Sequence, residues 1–143
     1  MPDDASNMNS KVVFLVEDHV RLRTIITDFI NAMPQFRVLS SAASAEAALN
    51  TPDLFGADLL ITDIGLPGMT GIDLIQEVIT KGLTCRVIAY SAHTETSFIH
   101  RALSAGAHAY VVKDEFDRLH DAMKRVMAGG ADIIIAGDKG AAH

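Results

Sequence analysis

Cysteine occurs once in the 143 residues, and acids outnumber basic side chains by 18 to 12, for a formal net charge of −6. One cysteine excludes an internal disulfide framework and fits a reducing, cytoplasmic setting. Cys85 precedes the apolar run Val87–Tyr90, so it reads as an inert, half-buried thiol. The deficit of basic residues argues against a nucleic-acid surface, which needs a positive patch to neutralise phosphates. No apolar stretch approaches the length of a membrane span. The polar start, MPDDASNMNS, lacks the features of a signal peptide and is expected to be a disordered leader over residues 1–10. Internal repeats and low-complexity tracts are also missing.

What is present is the composition of one ordinary globular domain, 49% hydrophobic and 21% charged. Apolar runs alternate with helix-period segments. VVFLVED (12–18) is a β-branched run ending in acids. Leu22, Ile25, Ile26, Phe29, Ile30 and Met33 then repeat at three- and four-residue steps, the face of a helix that Pro34 ends. RVLSSAA (37–43) is a weaker strand, and Ser44 is placed to cap a short Ala-rich helix running to about Asn50. ADLLITD (57–63) is a third strand, followed by the turn LPGMTG and a helix with Ile72, Ile75, Val78 and Ile79 on one side. CRVIAYSA (85–92) is a fourth. Its helix turns Phe98, Ile99, Ala102 and Leu103 inward and stops at Gly106. AHAYVVK (107–113) is a fifth. Phe116, Leu119, Met123, Val126 and Met127 mark a last amphipathic helix ended by Gly129-Gly130, its methionines filling the core.

This alternation predicts an α/β fold: a doubly wound, five-stranded parallel sheet with helices on both faces, in the flavodoxin-like order 2-1-3-4-5. Ligands of such sheets sit beyond the carboxyl ends of the strands, near the point where strand order reverses. Strand one ends in Glu17-Asp18, strand three in Asp63, strand four in Ser91 and strand five in Lys113. Singly, each is an ordinary surface residue or turn former. Together, on one edge, they are the set that phosphoryl transfer requires. Three neighbouring carboxylates repel one another, and a divalent cation resolves the conflict; an all-oxygen acidic site favours Mg²⁺. Asp63 is then the nucleophile, the metal and Lys113 offset charge on the phosphoryl group, and the Ser91 hydroxyl hydrogen-bonds one of its oxygens. Pro67 and Gly68 turn the chain away and leave the Asp63 side open.

In VEDH (16–19), DIGLPGMTG (63–71), YSA (90–92) and AGAHAYVVKD (105–114) the sequence resembles the receiver domain of bacterial two-component response regulators. The likeness runs from about Lys11 to Ala128, which sets the expected boundaries: leader 1–10, receiver 11–128, short tail 129–143. In wording it is nearest to the subfamily whose members usually carry a C-terminal helix-turn-helix. The resemblance implies that Asp63 is the phosphoacceptor. Glu17 and Asp18 match the metal-binding pair, and Gly65 falls where a backbone carbonyl completes the metal site. Ser91 matches the hydroxyl that contacts the phosphoryl group, Lys113 the phosphate-binding lysine, and Tyr110 the aromatic switch that turns inward. It further implies a histidine kinase or phosphotransfer protein as donor, Mg²⁺ as cofactor, an unidentified downstream protein met by the face of the fourth helix, fifth strand and last helix, and a phosphorylation-dependent dimer as a further state. Direct DNA binding and membrane association are not expected.

The sequence departs from that pattern in places. Asp114 stands where such receivers usually have a proline after the lysine, so the cis-proline turn is absent. Gly65 offers no side chain at a position that often tunes the access of water, and His93 lies two residues past Ser91. After Gly130 only ADIIIAGDKGAAH follows, and Ile133–Ile135 reads either as a linker remnant or as a short extra element on the sheet. The expectation is a single-domain regulator, with a truncated receiver as the other possibility.

Other classes fit less well. A haloacid-dehalogenase-like phosphatase would show D-x-D-x-T/V where this chain has EDHVR, and no cap insertion is visible. A flavodoxin would need a Ser/Thr/Gly-rich phosphate loop after strand one. A phosphorylation-independent receiver-like module commonly loses the acceptor, an acid of the pair or the lysine, and all are kept here. The six histidines (His19, His93, His100, His108, His120, His143) show no i, i+4 ligand pair and are expected to be solvated, with His19 beside Asp18 at the site.

Overall fold

The computed structural model describes residues 10–136; the expected leader up to Asn9 and the end of the tail, His143 included, lie outside the described residues. Strand β1 (Lys11–Val16) leads to helix α1 (Val20–Asn31), β2 (Phe36–Ala42), α2 (Ala45–Leu49), a 3-10 turn (Pro52–Gly56) and β3 (Leu59–Thr62). Helix α3 (Gly71–Thr80), β4 (Arg86–Ser91), α4 (Thr96–Ala105), β5 (Ala109–Val112), a second 3-10 turn (Lys113–Arg118), α5 (Leu119–Met127) and β6 (Ile133–Ile135) follow. Every pairing is parallel, in the order β2-β1-β3-β4-β5-β6. The doubly wound order stands, and among the described residues the sheet has six strands rather than the expected five. The tail triplet Ile133–Ile135 is an extra strand, beside β5.

Alternation along the strands divides the core between the two faces of the sheet. Phe14, Val16, Leu60, Val87, Ala89, Tyr110 and Val112 pack with Leu74, Ile75, Val78 and Ile99 from α3 and α4. Val13, Leu15, Ile61, Ile88, Tyr90 and Val111 pack with Ile26 and Ile30 of α1 and Leu119, Met123 and Val126 of α5. Strands buried on both faces carry no polar alternation, which is why LLIT reads as a continuous apolar run. Burial of each such aliphatic side chain contributes roughly 1.5–3 kcal/mol.

Local sequence sets the helix ends. His19 caps α1 by accepting the Leu22 N–H at Nδ1, and Ser44 caps α2 by accepting from Ala47. Thr70 and Asp73 form a reciprocal capping box at the start of α3, a signal present in the sequence and overlooked there. Gly106 ends α4 at φ 129°, where a Cβ would meet Ile79 Cγ1 at 2.8 Å.

Some positions differ from their expected faces. Ile25 and Ile79 are about half exposed, at the rims of their apolar stripes. Phe116 lies in the 3-10 turn before α5, tilted against Phe29 at 4.3 Å between ring centroids. Cys85 is buried rather than half-buried, and burial pushes its thiol pKa up. His108 is part-buried and structural: its Nδ1 accepts the Val87 N–H at 3.0 Å, and burial lowers its pKa, with Arg86 adding to the effect. His120 is likewise part-buried, edge-on to Phe36.

Candidate functional site

Three strand ends converge on one edge of the sheet. Glu17 follows β1, its N–H donating to Ala42 O of β2, and Asp63 follows β3, its N–H donating to Val16 O. These bonds continue the ladders one residue past each strand and hold both carboxylates where the strand order reverses. Glu17 is 1% exposed and Asp63 7%, whereas Asp18 is exposed.

Lys113, at the end of β5, places Nζ 3.0 Å from Glu17 Oε1 and 3.0 Å from Asp63 Oδ2. The remaining oxygens take backbone donors, Asp63 Oδ1 from Gly65 N–H at 3.1 Å and Glu17 Oε2 from His19 N–H at 3.1 Å. Glu17 Oε1 has no well-aligned hydrogen bond despite its closeness to Lys113. The contact is thus ionic more than directional, and that oxygen keeps capacity for a further cation.

Electrostatics follow from this packing. Burial pushes the Glu17 carboxyl above its usual range, and the charge on Asp63 adds to the rise, against the His19 N–H and Lys113. For Lys113 burial acts downward, but its bonds to Asp63 and Glu17 outweigh it and raise the ammonium pKa. The Glu17 shift has a defined sign in stability. A raised folded value means the protonated form suits the fold, so its contribution is complete below about pH 4.5, the ordinary value, and is lost as pH rises through the raised one. Glu17→Gln is therefore expected to melt higher than wild type at pH 7, with the difference closing toward pH 4. Thermal melts across that range check this; a lower melting temperature for the variant at pH 7 would contradict it.

One oxygen from each of Glu17, Asp18 and Asp63 lies within 4.8 Å of the others. An all-carboxylate donor set suits a hard divalent ion, and the under-bonded Glu17 oxygen and raised Glu17 pKa are what such a site leaves when charge is uncompensated. The acidic group fits Mg²⁺. Gly65 lies beside it, and a Cβ there would have only ordinary contacts, with His93 Nε2 at 3.9 Å and Asp63 Oδ1 at 4.0 Å.

Ser91, fully buried at the end of β4, accepts the His93 N–H at Oγ, 3.1 Å away. The His93 carbonyl in turn accepts the Tyr110 hydroxyl at 2.8 Å. The loop at His93 thus ties Ser91 to Tyr110. Tyr110 is fully buried, and burial pushes its phenol pKa up, with Ser91 opposing. The His93 ring stacks on Phe98 at 4.1 Å, and its Nδ1 lies 3.3 Å from Glu95 Oε2. The structure therefore brings together Glu17, Asp18, Asp63, Gly65 and Lys113, with Ser91 linked to Tyr110 through His93. His19 is at the site through its backbone and as the cap of α1. All peptide bonds of the described residues are trans, and the chain after Lys113 continues as a 3-10 turn.

Two supporting residues escaped the sequence reading. Arg23 donates to the Glu17 carbonyl at 2.6 Å, clamping the acid pair from α1. Gly71 lies against the backbone of Asp63: a Cβ there would fall 2.0 Å from Asp63 O, and its N–H donates to Ile64 O at 3.0 Å. A glycine after a threonine looks like any turn residue, so the sequence held no signal for this contact.

Comparison with known proteins agrees with the geometry. A family model described as the response regulator receiver domain matches residues 13–127. The nitrate/nitrite response regulator protein NarL of Escherichia coli (strain K12) is 29% identical over 125 residues, 87% of this chain and 58% of that protein. The DNA-binding transcriptional activator DevR/DosR of Mycobacterium tuberculosis is 32% identical over 118 residues, 82% of this chain and 54% of that protein. The chain thus spans somewhat over half the length of these relatives. Among solved structures, the signal receiver domain of the response regulator NarL from Mycobacterium tuberculosis superposes with a TM-score of 0.79 at 25% identity, covering 85% of this chain and 98% of that one. A LuxR-family two-component response regulator from Aurantimonas sp. SI85-9A1 gives 0.82 at 26% identity, covering 90% and 91%.

Proposed function

The chain belongs to the response regulator receiver domain family, and from that premise we propose that Asp63 accepts a phosphoryl group from a phosphohistidine on a histidine kinase or phosphotransfer protein, with Mg²⁺ required. The receiver unit occupies residues 11–128 in this reading, with β6 following it. The observation that carries it is the placement of Asp63, nearly buried, bonded to Lys113 and within reach of two further acids at the sheet's switch point.

A carboxylate oxygen of Asp63 attacks phosphorus, the phosphorus–nitrogen bond breaks, and the donor imidazole keeps the electron pair and takes up a proton. Glu17, Asp18 and Asp63, with the Gly65 carbonyl, would hold Mg²⁺, which would supply charge compensation for the phosphoryl oxygens. Lys113 already faces Asp63 Oδ2 and needs little movement to meet a phosphoryl oxygen there. Gly65 N–H fixes Asp63 Oδ1, so the carboxylate presents one orientation. Transfer of this kind is mainly positioning and electrostatics, which these residues provide.

Ser91 then hydrogen-bonds the new phosphoryl group, and because the His93 peptide joins Ser91 to Tyr110, the two side chains respond together. The equilibrium between two arrangements of α4 and β5 shifts, and a protein partner reads the changed surface. Incubation with acetyl phosphate tests the chemistry. Intact mass should show one phosphoryl adduct with Mg²⁺ and at least ~10-fold less with a chelator, on the scale of removing a main electrostatic stabiliser. No adduct under any condition, with a cognate kinase also failing and the fold intact, would favour a phosphorylation-independent binding module.

A further inference from the structure

The tail strand β6 occupies the margin of the sheet beside Tyr110. Its register with β5 is Ala109↔Ile133, Tyr110↔Ile134 and Val111↔Ile135. Ile133 and Ile135 are buried with the α1 and α5 side of the core, so Ile134 projects to the opposite face, the one that holds Tyr110. Ala136 packs against that same cluster. Tyr110 is thereby flanked on the side where a five-stranded sheet would end in an open edge, and it has no exposed surface.

The chain is returned to this edge by a tight connection. Gly129 has φ 102° and Asp132, a non-glycine residue, has φ 57°. A Cβ on Gly130 would fall 2.8 Å from Arg125 O, and Arg86 of β4 donates to Gly130 O at 2.8 Å. The return is anchored, but the strand has three residues, and Ile134 is 48% exposed. A short, anchored, partly exposed strand is a strap: simple to release, and specific in what it covers.

We infer that β6 is a strap that holds Tyr110 in its buried position against the His93 carbonyl, so that this receiver is biased toward the arrangement that phosphorylation of Asp63 would select. The inference rests on the phosphoacceptor reading for its functional consequence, though not for its structural part. If the inward arrangement is already populated, ligand binding at Asp63 does not have to supply the free energy to reach it, and apparent affinity rises by the gain in competent fraction. Releasing the strap reverses this.

The test uses the full chain labelled with 3-fluorotyrosine, Tyr90→Phe assigning the two signals. Wild type is compared with Ile134→Asp, which removes the apolar flank at a half-exposed position, and with Arg86→Met, which removes the anchor on Gly130 O. Circular dichroism confirms that each variant is folded. Fluorine spectra with a soluble paramagnetic chelate report Tyr110 exposure, and calorimetry reports binding of beryllofluoride with Mg²⁺. The expected result is a shielded Tyr110 in wild type, an exposed one in both variants, and at least about fivefold weaker beryllofluoride binding in each. A Tyr110 signal equally shielded in all three proteins would overturn the strap. Failure of wild type to bind beryllofluoride would overturn the phosphoacceptor reading, while the fluorine comparison would still decide the strap.

Discussion

Asp63→Asn is expected to reduce phosphoryl incorporation from acetyl phosphate to below detection while raising the melting temperature. The first effect follows because no other carboxylate of the described residues combines its position and access: Glu17 is the alternative paired with Lys113, and it is the more deeply buried of the two, 1% exposed against 7% for Asp63. The amide keeps the shape of the carboxylate but is not a nucleophile under these conditions. The second effect follows from the charges. Three acids face one lysine at the site, two of them buried, and Asp63 pushes the Glu17 pKa upward. Removing one like charge relieves that repulsion, and the relief should appear as a higher melting temperature. Lys113 retains Glu17 as partner. Intact mass and thermal melts measure both. An adduct persisting on the variant would move the acceptor elsewhere, and a large fall in melting temperature would mean that the Lys113 pair outweighs the repulsion.

Gly71→Ala should be among the most damaging small substitutions in the protein. At an ordinary helix start alanine is favoured over glycine by up to about 1 kcal/mol. Here the added carbon would lie 2.0 Å from Asp63 O and 2.8 Å from both Asp63 C and Ile64 Cα. All three are backbone atoms, so no side chain can rotate out of the way. Either α3 moves off the sheet or the peptide after Asp63 shifts. The expected loss is roughly 3 kcal/mol or more, at the upper end for overpacking, with a fall of about 10 °C in melting temperature. Phosphoryl transfer should fall too, since the displaced peptide carries Asp63, the proposed acceptor. Gly56→Ala is the control, because a Cβ there meets nothing within 4 Å. A Gly71→Ala protein that melts within a degree of that control would show that α3 does not approach Asp63 so closely.

How far the sequence could be read depended on the range of the interaction concerned. Strands β1, β3, β4 and β5 were legible as short apolar runs, because a parallel sheet covered on both faces makes every position of a strand hydrophobic. Helices α1, α3, α4 and α5 were legible from three- and four-residue spacing, and α2 from its Ser44 cap. Glu17, Asp63, Ser91 and Lys113 were found together because each closes such a run, and parallel strands bring their carboxyl ends to one edge whatever the order of crossing.

Tertiary structure decided the rest. Whether Ile133–Ile135 was linker or strand depended on an open edge on β5 and on a return anchored by Arg86, neither of which is written in the three isoleucines. The exposure of Ile25 and Ile79 depended on how wide a strip of each helix the sheet covers. The role of Gly71 depended on an approach between α3 and the peptide after Asp63, and that of His108 on the Val87 N–H across the sheet. Composition and periodicity act on neighbours along the chain and determine which elements form and which face each buries. Contacts between elements depend on distances that exist only once the sheet has closed, and there a single hydrogen atom at Gly71 is what allows the helix to approach the backbone of Asp63.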